Sequence, residues 1–140
     1  MAQFKQYKLG FDRMFHVGEV KDDAARVQES AIEAQQAAIA AIKPGVLAQD
    51  VAAAANAVYE ARGYETGYHT GRSIGAADLE APELKAGDMT VLQAGMTFAV
   101  DGGISIDGVT AGRIGDSVVV TETGFEYITN YPRELLVTDA

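Results

Sequence analysis

Cysteine is absent from this chain of 140 residues. Its absence excludes disulfide bonds, thiolate metal sites and cysteine nucleophiles. A chain without cysteine is compatible with the reducing interior of a cell. We therefore expect a cytoplasmic protein.

Basic residues are also few. Eleven Lys and Arg face twenty Asp and Glu, which gives a net charge of −9. The basic residues are scattered along the chain, whereas binding to a phosphate backbone needs clustered Lys and Arg. We therefore expect no nucleic-acid partner.

Long apolar runs are absent too. Polar Gln3 and Lys5 follow Met1, so we expect no signal peptide. A membrane-spanning helix needs about 20 consecutive apolar residues, and the alanine-rich run at residues 51–55 is interrupted by Asn56. We expect no membrane partner.

The first half of the chain contains two helical patterns. Apolar residues recur at three- and four-residue spacing over residues 24–42, with Asp22 or Asp23 as the predicted N-cap. The Pro-Gly pair at 44–45 ends this helix, and a second helix is predicted over residues 47–62. Because the connection is short, we expect the two helices to pack as an antiparallel hairpin.

Strand-like runs bounded by glycine occupy most of the remaining sequence. We predict strands within residues 4–18, 97–100, 103–106, 117–121 and 125–128. Gly102-Gly103 is predicted to be a turn, and Ala81-Pro82 is predicted to open a loop. Helices followed by antiparallel strands indicate one α+β domain over residues 1–140.

Four sequence blocks carry a resemblance to a known family. They are GFDRMFHVG at 10–18, GRSIGAADLEAP at 71–82, LQAGMTFAVDGGI at 92–104 and RIGDSVVVTETG at 113–124. In this order and spacing, with a Lys-Pro-Gly turn at 43–45, they resemble the creatinase/prolidase ("pita-bread") family. Residues 67–137 are similar to the C-terminal part of its members. The resemblance implies a partial pita-bread fold, in which a helical hairpin packs on a curved antiparallel sheet.

The metal-ligand positions of that family are substituted here. Its metallopeptidases, such as prolidase and aminopeptidase P, hold two divalent ions with two aspartates, one histidine and two glutamates. Four of those positions correspond here to Gly10, Arg72, Asp101 and Gly115, and the fifth falls before Met1. Only Asp101 can still coordinate a metal, and Arg72 places a positive charge where a cation would bind. The resemblance therefore implies a member without the dinuclear metal site and without a cofactor.

The chain is also shorter than the family's catalytic domain. The segment that would precede Gly10 and supply the first strands is largely missing, so we expect a truncated domain. A sheet that lacks strands has an open edge, and pairing between copies is one way to cover it. We therefore expect a homo-oligomer, with a homodimer as the simplest form.

Asp101 and His69 are the predicted catalytic residues. Asp101 is either an acid/base group at the pocket floor or a turn-forming Asp before glycine. His69 is either a general base that also hydrogen-bonds the substrate or a structural hydrogen-bonding residue.

Arg72, Tyr68, Glu80 and Arg113 are the predicted substrate-binding residues. Arg72 either clamps a substrate carboxylate or pairs internally with Asp101 or Asp116. Glu80 matches a glutamate of the family, although stabilisation of the loop around Pro82 explains it equally well.

Two functional hypotheses follow. The first is a metal-independent hydrolase similar to creatinase, which cleaves a C–N bond of a small anionic substrate. In it, Asp101 and His69 move protons and Arg72 holds the substrate. The alternative is a non-catalytic module that binds a peptide or a protein partner, and a remnant without independent function is a third possibility. We prefer the first.

Overall fold

Two helices and one six-stranded sheet form the main body of the part of the chain that the structure describes. The structure is a computed structural model, and it describes residues 1–65 and 69–139. Helix α1 spans Asp22–Ala41 and helix α2 spans Ala48–Ala61. The ten strands are β1 (Ala2–Phe4), β2 (Tyr7–Leu9), β3 (Asp12–Arg13), β4 (Phe15–Val17), β5 (Gly71–Ser73), β6 (Glu80–Leu84), β7 (Thr97–Ile106), β8 (Thr110–Val120), β9 (Phe125–Tyr127) and β10 (Leu136–Thr138).

The six-stranded sheet has the order β3-β8-β7-β5-β6, with β9 also paired to β8. All of its pairs are antiparallel. Two small sheets accompany it: β1 pairs with β2 in antiparallel fashion, and β4 pairs with β10 in parallel. Helices packed on an antiparallel sheet confirm the predicted α+β class. No helix among the described residues is long and apolar enough to span a membrane.

Both helices lie close to their predicted positions. Helix α1 buries one apolar stripe, and helix α2 packs against α1 and begins after Leu47. The predicted N-cap of α1 was wrong: Lys21 occupies that position without a side-chain cap, and Asp22 and Asp23 lie in the first turn. There the two acidic side chains still favour the helix, because the helix dipole is positive at its N-terminus.

The core lies between α1, α2 and the sheet. The side chains that form it are apolar residues of the two helices and of the central strands. The largest fully buried apolar members are Phe98, Ile39, Ile42, Leu84, Leu92, Val27, Val51, Val100, Val118 and Val120.

Gly102-Gly103 is not a turn, contrary to the prediction. Both residues lie inside β7, which runs without interruption from Thr97 to Ile106. A Cβ on Gly102 would lie 2.1 Å from the carbonyl oxygen of Ala31 in α1. Glycine is therefore needed for close approach of helix and sheet, and not for chain reversal.

Two other local predictions were wrong. Residues 4–18 do not form one strand but contain the end of β1 and the three short strands β2, β3 and β4. Lys5 and Gln6, with positive φ values of 45° and 73°, turn the chain between β1 and β2. The Ala81-Pro82 pair lies within β6 and does not open a loop. Proline is tolerated there because β6 is an edge strand, where a backbone N–H can be lost without breaking the sheet.

The close contact at Gly102 gives a stability prediction. Gly102→Ala should lower the free energy of unfolding by about 1–3 kcal/mol, since the added methyl group forces α1 away from β7. Gly124→Ala is the matched control, because a Cβ there meets no atom within 4 Å. It should change the free energy by no more than about 0.5 kcal/mol. Urea unfolding followed by circular dichroism measures both, and equal effects would contradict the close-packing argument.

Candidate functional site

The candidate site lies on the sheet face that points away from α1. Side chains alternate between the two faces of a strand. Gly102 faces α1, so its neighbour Asp101 faces the other way. The register places Asp101 opposite Gly115 on β8, and Gly115 opposite Asp12 on β3. Asp101, Gly115 and Asp12 therefore form a row across three adjacent strands.

A buried ion pair joins Arg72 to Asp101. Arg72 extends from β5, and its Nη1 donates to Asp101 Oδ2 at 2.6 Å. The side chains are 14% and 6% exposed, respectively. Arg72 Nε also donates to the carbonyl oxygen of Asp78 at 2.9 Å. Arg72 is therefore paired with Asp101 within the protein, which was one of the two alternatives predicted for it.

One nitrogen of Arg72 has only a weak protein partner. Its Nη2 lies 3.6 Å from the thioether sulfur of Met1. A thioether is a weak acceptor compared with a carboxylate. The guanidinium can therefore keep its bond to Asp101 and still donate to a ligand.

Gly115 shapes the other side of Asp101. A Cβ at this position would lie 2.7 Å from Asp101 Oδ1 and 3.1 Å from Asp12 Cβ. A larger residue at 115 would therefore displace the Asp101 carboxylate. Because Gly115 has no side chain, Asp101 Oδ1 can lie directly above the backbone of β8 at Gly115, which Asp12 also contacts from β3.

A second ion pair flanks this row. Arg113 Nε lies 2.6 Å from Asp12 Oδ2, and the two side chains are 44% and 38% exposed. Neither a motif nor a residue spacing indicated that Asp12 belongs to the site. Its position depends on the pairing of β3 with β8, which joins segments about a hundred residues apart in the chain.

The segment after β2 is held against the same face. Ser117 Oγ accepts a hydrogen bond from the Gly10 N–H at 2.9 Å and donates one to the Gly10 carbonyl at 2.8 Å. A Cβ on Gly10 would lie 2.5 Å from Ala99 Cβ. The glycine allows the chain to cross the sheet in contact with β7, next to the row of Asp101, Gly115 and Asp12.

The other predicted site residues have different environments. His69 is exposed and lies just before Thr70, whose carbonyl accepts a hydrogen bond from the Asp101 N–H at 2.8 Å. Glu80 Oε1 accepts a hydrogen bond from the Ala77 N–H at 2.6 Å, so Glu80 braces the loop before β6. Tyr68 lies outside the described residues. The catalytic role of His69 and the substrate-binding roles of Glu80 and Tyr68 stay predictions.

On the opposite face, Asp116 binds side chains from four parts of the chain. Arg13 Nη2 lies 2.8 Å and Thr129 Oγ1 2.6 Å from Oδ1, while Gln35 Nε2 lies 2.9 Å and Arg133 Nε 3.2 Å from Oδ2. Asp116 is fully buried. Both of its oxygens are occupied, so we assign it a structural role.

Arg133 also covers an aromatic ring. Its guanidinium carbon lies 3.6 Å from the ring centroid of Tyr127, which is a cation–π contact. Burial raises the pKa of the Tyr127 phenol, while the positive charge of Arg133 opposes that rise. This cluster connects the C-terminal segment to β8 and β9.

The residues present do not fit a dinuclear metal centre. Among the described residues, no group of three or more His, Cys, Asp or Glu side chains is arranged to hold a metal ion. Asp101 is the one metal position implied by the resemblance that still has a metal-ligating side chain. Its Oδ2 accepts a hydrogen bond from Arg72 at 2.6 Å. A metal ion that used both oxygens of Asp101 would have to displace a guanidinium from a buried carboxylate.

A thermal melt tests this conclusion. Excess Mn²⁺ or Co²⁺ should leave the midpoint unchanged relative to the EDTA-treated protein. A metal bound to the native state at 100 times its Kd would add about 2.7 kcal/mol and raise the midpoint by several degrees. A saturable upward shift would therefore contradict the proposed loss of the metal site.

Asp116 provides a second prediction. Asp116→Asn should lower the free energy of unfolding by about 3–5 kcal/mol, because it leaves two arginines without their shared buried carboxylate. Asp107→Asn is the control, since Asp107 is exposed in the turn between β7 and β8. Urea unfolding measures both variants. A loss below about 1 kcal/mol for Asp116→Asn would show that the cluster is dispensable.

Comparison with known proteins adds independent evidence. The model of "Metallopeptidase family M24" matches residues 1–122. The agropine synthesis cyclase of Rhizobium rhizogenes is 39% identical over 132 residues, covering 91% of this chain and 33% of that protein. The probable dipeptidase PepE of Mycobacterium tuberculosis is 39% identical over 133 residues, covering 94% of this chain and 36% of that protein.

A solved structure gives the same result. The Xaa-Pro dipeptidase from Bacillus anthracis superposes with a TM-score of 0.93 at 34% identity, covering 96% of this chain and 39% of that one. The chain thus spans about a third of the length of the curated relatives that it matches. It has the pita-bread fold, and it belongs to metallopeptidase family M24, the creatinase/prolidase/aminopeptidase family.

Proposed function

We propose that this member of the M24 hydrolase family carries out metal-independent hydrolysis of a C–N bond in a small anionic substrate. The observation that supports the proposal is the buried pair of Arg72 and Asp101. Each partner keeps one polar atom for a ligand: Nη2 of Arg72 and Oδ1 of Asp101. An anion-binding group and a carboxylate that can act as a base therefore lie side by side.

Arg72 is the proposed anchor for the substrate. A carboxylate that approaches Nη2 would replace the weak contact to the Met1 sulfur with a charge-assisted hydrogen bond. The bond to Asp101 fixes the guanidinium before the ligand arrives, so little side-chain freedom is lost on binding.

Asp101 is the proposed acid/base group. Arg72 holds Oδ2, and Oδ1 accepts no hydrogen bond from the described residues. In the proposed reaction Oδ1 takes a proton from a water molecule as the water oxygen bonds to the substrate carbon. Asp101 then gives that proton to the nitrogen as the C–N bond breaks. His69, exposed near the site, exchanges protons with solvent.

The names of the relatives do not decide the reaction. One similar protein is named as a cyclase and another as a probable dipeptidase, and both are 39% identical to this chain. The reaction proposed for this chain therefore depends on its own residues. Both names are compatible with a site that binds a small polar molecule.

A non-catalytic peptide- or protein-binding module is the second candidate. It is favoured by the two Asp–Arg pairs, because each carboxylate already has a cationic partner. A site with such internal charge balance can bind a ligand without performing chemistry on it.

We also propose that the chain acts in the cytoplasm as a homo-oligomer. Strand β6 lies at one edge of the six-stranded sheet, with no further strand beyond it among the described residues. An open edge favours pairing with another copy. The absence of cysteine from the sequence is compatible with the cytoplasmic location.

Kinetics of the Asp101→Asn variant test the catalytic proposal. The purified chain, treated with EDTA, is assayed against Xaa-Pro dipeptides and N-acyl amino acids with amine release as the readout. We expect turnover of at least one substrate class without metal. Asp101→Asn should lower kcat/KM about 10²–10⁴-fold, the usual contribution of acid/base catalysis.

Asp107→Asn is the matched control and should leave kcat/KM unchanged, since Asp107 is exposed and lies in the β7–β8 turn. Activity that returns only with Mn²⁺, or an unaltered rate in Asp101→Asn, would overturn the catalytic proposal. Substrate binding without turnover in the unmodified chain would favour the binding module instead.

A further inference from the structure

Asp12 is a second carboxylate at the candidate site. It lies opposite Gly115 in the β3–β8 register, and Asp101 lies opposite the same glycine in the β7–β8 register. Asp12 Cβ and Asp101 Oδ1 are both within 3.1 Å of the point where a Gly115 Cβ would lie. The two aspartate side chains therefore flank the position of Gly115, which has no side chain of its own.

The arginines bind one oxygen of each carboxylate. Arg72 binds Oδ2 of Asp101, and Arg113 binds Oδ2 of Asp12. Neither Oδ1 accepts a hydrogen bond from the part of the chain that the structure describes. Each of the two side chains beside Gly115 thus has one such acceptor oxygen, and the Asp101 side chain is only 6% exposed.

Ionised carboxylate oxygens accept hydrogen bonds and do not donate them. A single ligand atom satisfies both oxygens when it presents at least two hydrogen-bond donors. A primary or secondary ammonium does this, and its positive charge strengthens each bond. A hydroxyl has only one donor, and a second carboxylate would be repelled.

We infer that Asp12 and Asp101 form a subsite over Gly115 for a protonated amine, the nitrogen that leaves when the C–N bond breaks. This inference rests on the proposed hydrolysis. In the balanced reaction, water supplies a hydroxyl to the carbon and a proton to the nitrogen. The new carboxylic acid then loses its proton to the amine, so that a carboxylate and an ammonium ion are released.

Asp12 contributes most when positive charge develops on the nitrogen. Before bond cleavage the amide nitrogen is neutral, and the Asp12 and Asp101 charges are balanced by two arginines. As the nitrogen is protonated, its charge forms beside Oδ1 of Asp12. An interaction that is stronger in the transition state than in the bound substrate accelerates the reaction.

The subsite also limits the class of substrate. With an anionic group on Arg72 and the leaving nitrogen over Gly115, the substrate has a carboxylate and a C–N bond close to each other. The amine product then carries N–H donors for both aspartates. A tertiary amine product would satisfy only one of them.

Amine binding can be measured without turnover. The ¹⁵N-labelled full chain is titrated with propylammonium chloride while the Gly115 amide resonance is followed by NMR. Tetramethylammonium chloride, which has the charge but no N–H, and sodium propionate are titrated separately. We expect a saturable Gly115 shift with propylammonium, with a Kd on the order of 1 mM, and binding at least ten times weaker for the other two salts.

Two variants remove the subsite in different ways. Asp12→Asn deletes the charge of one carboxylate, and Gly115→Ala displaces Oδ1 of the other, from which the new Cβ would be 2.7 Å away. Each should weaken propylammonium binding at least tenfold. Asp107→Asn and Gly124→Ala are the matched controls and should bind as the unmodified chain does. If one variant does not fold, as judged by its amide spectrum, the other still tests the subsite.

The possible outcomes separate the two proposals. No propylammonium binding, binding that survives both variants, or equal binding of tetramethylammonium would overturn the subsite, whether or not the chain hydrolyses a substrate. Propylammonium binding that both variants abolish supports the subsite even if the hydrolysis assay finds no turnover, in which case only the catalytic proposal fails.

Discussion

The carboxylate of Asp116 is the interaction on which the rest of this structure depends. It binds arginines from opposite ends of the chain, Arg13 and Arg133, and also receives hydrogen bonds from Thr129 and from Gln35 in α1. Removal of a buried charge from such a cluster leaves its partners uncompensated. Because Asp116 fixes β8 between α1 and both terminal segments, it also fixes which β8 residues point the other way, towards the candidate site.

Glycine on β7 and β8 then determines what each face of the sheet can do. On the helix side, the carbonyl oxygen of Ala31 approaches Gly102 so closely that a Cβ on residue 102 would lie only 2.1 Å from it. On the site side, Gly115 leaves room for Asp101 Oδ1. The two glycines have ordinary backbone conformations, so their role is close approach and not chain reversal. A larger side chain at 102 would disturb the packing of α1 on the sheet, whereas one at 115 would displace the Asp101 carboxylate at the candidate site.

The sequence alone predicted the elements that depend on local periodicity. Both helices and the α+β class were confirmed, because apolar spacing and a Pro-Gly pair are signals that lie within a few consecutive residues. The Gly102-Gly103 turn was wrong because a glycine required by a neighbouring helix looks the same, in sequence, as one required by a turn. The sequence left open whether Arg72 clamps a substrate or pairs with Asp101 or Asp116. The β5–β7 register places Arg72 opposite Ala99, two residues from Asp101, and the ion pair forms with Asp101. Asp12 was missed because its neighbours are distant in the chain.

The substitutions at the former metal positions depend on one another. Arg72 compensates the buried charge of Asp101, so its loss alone would leave that charge without a partner. A glutamate at position 115 would need the space that Asp101 Oδ1 occupies. A return to metal binding would therefore require several simultaneous changes, each unfavourable by itself. The two Asp–Arg pairs leave Oδ1 of Asp101, Oδ1 of Asp12 and Nη2 of Arg72 without a strong hydrogen-bond partner among the described residues, and the proposed chemistry uses those groups.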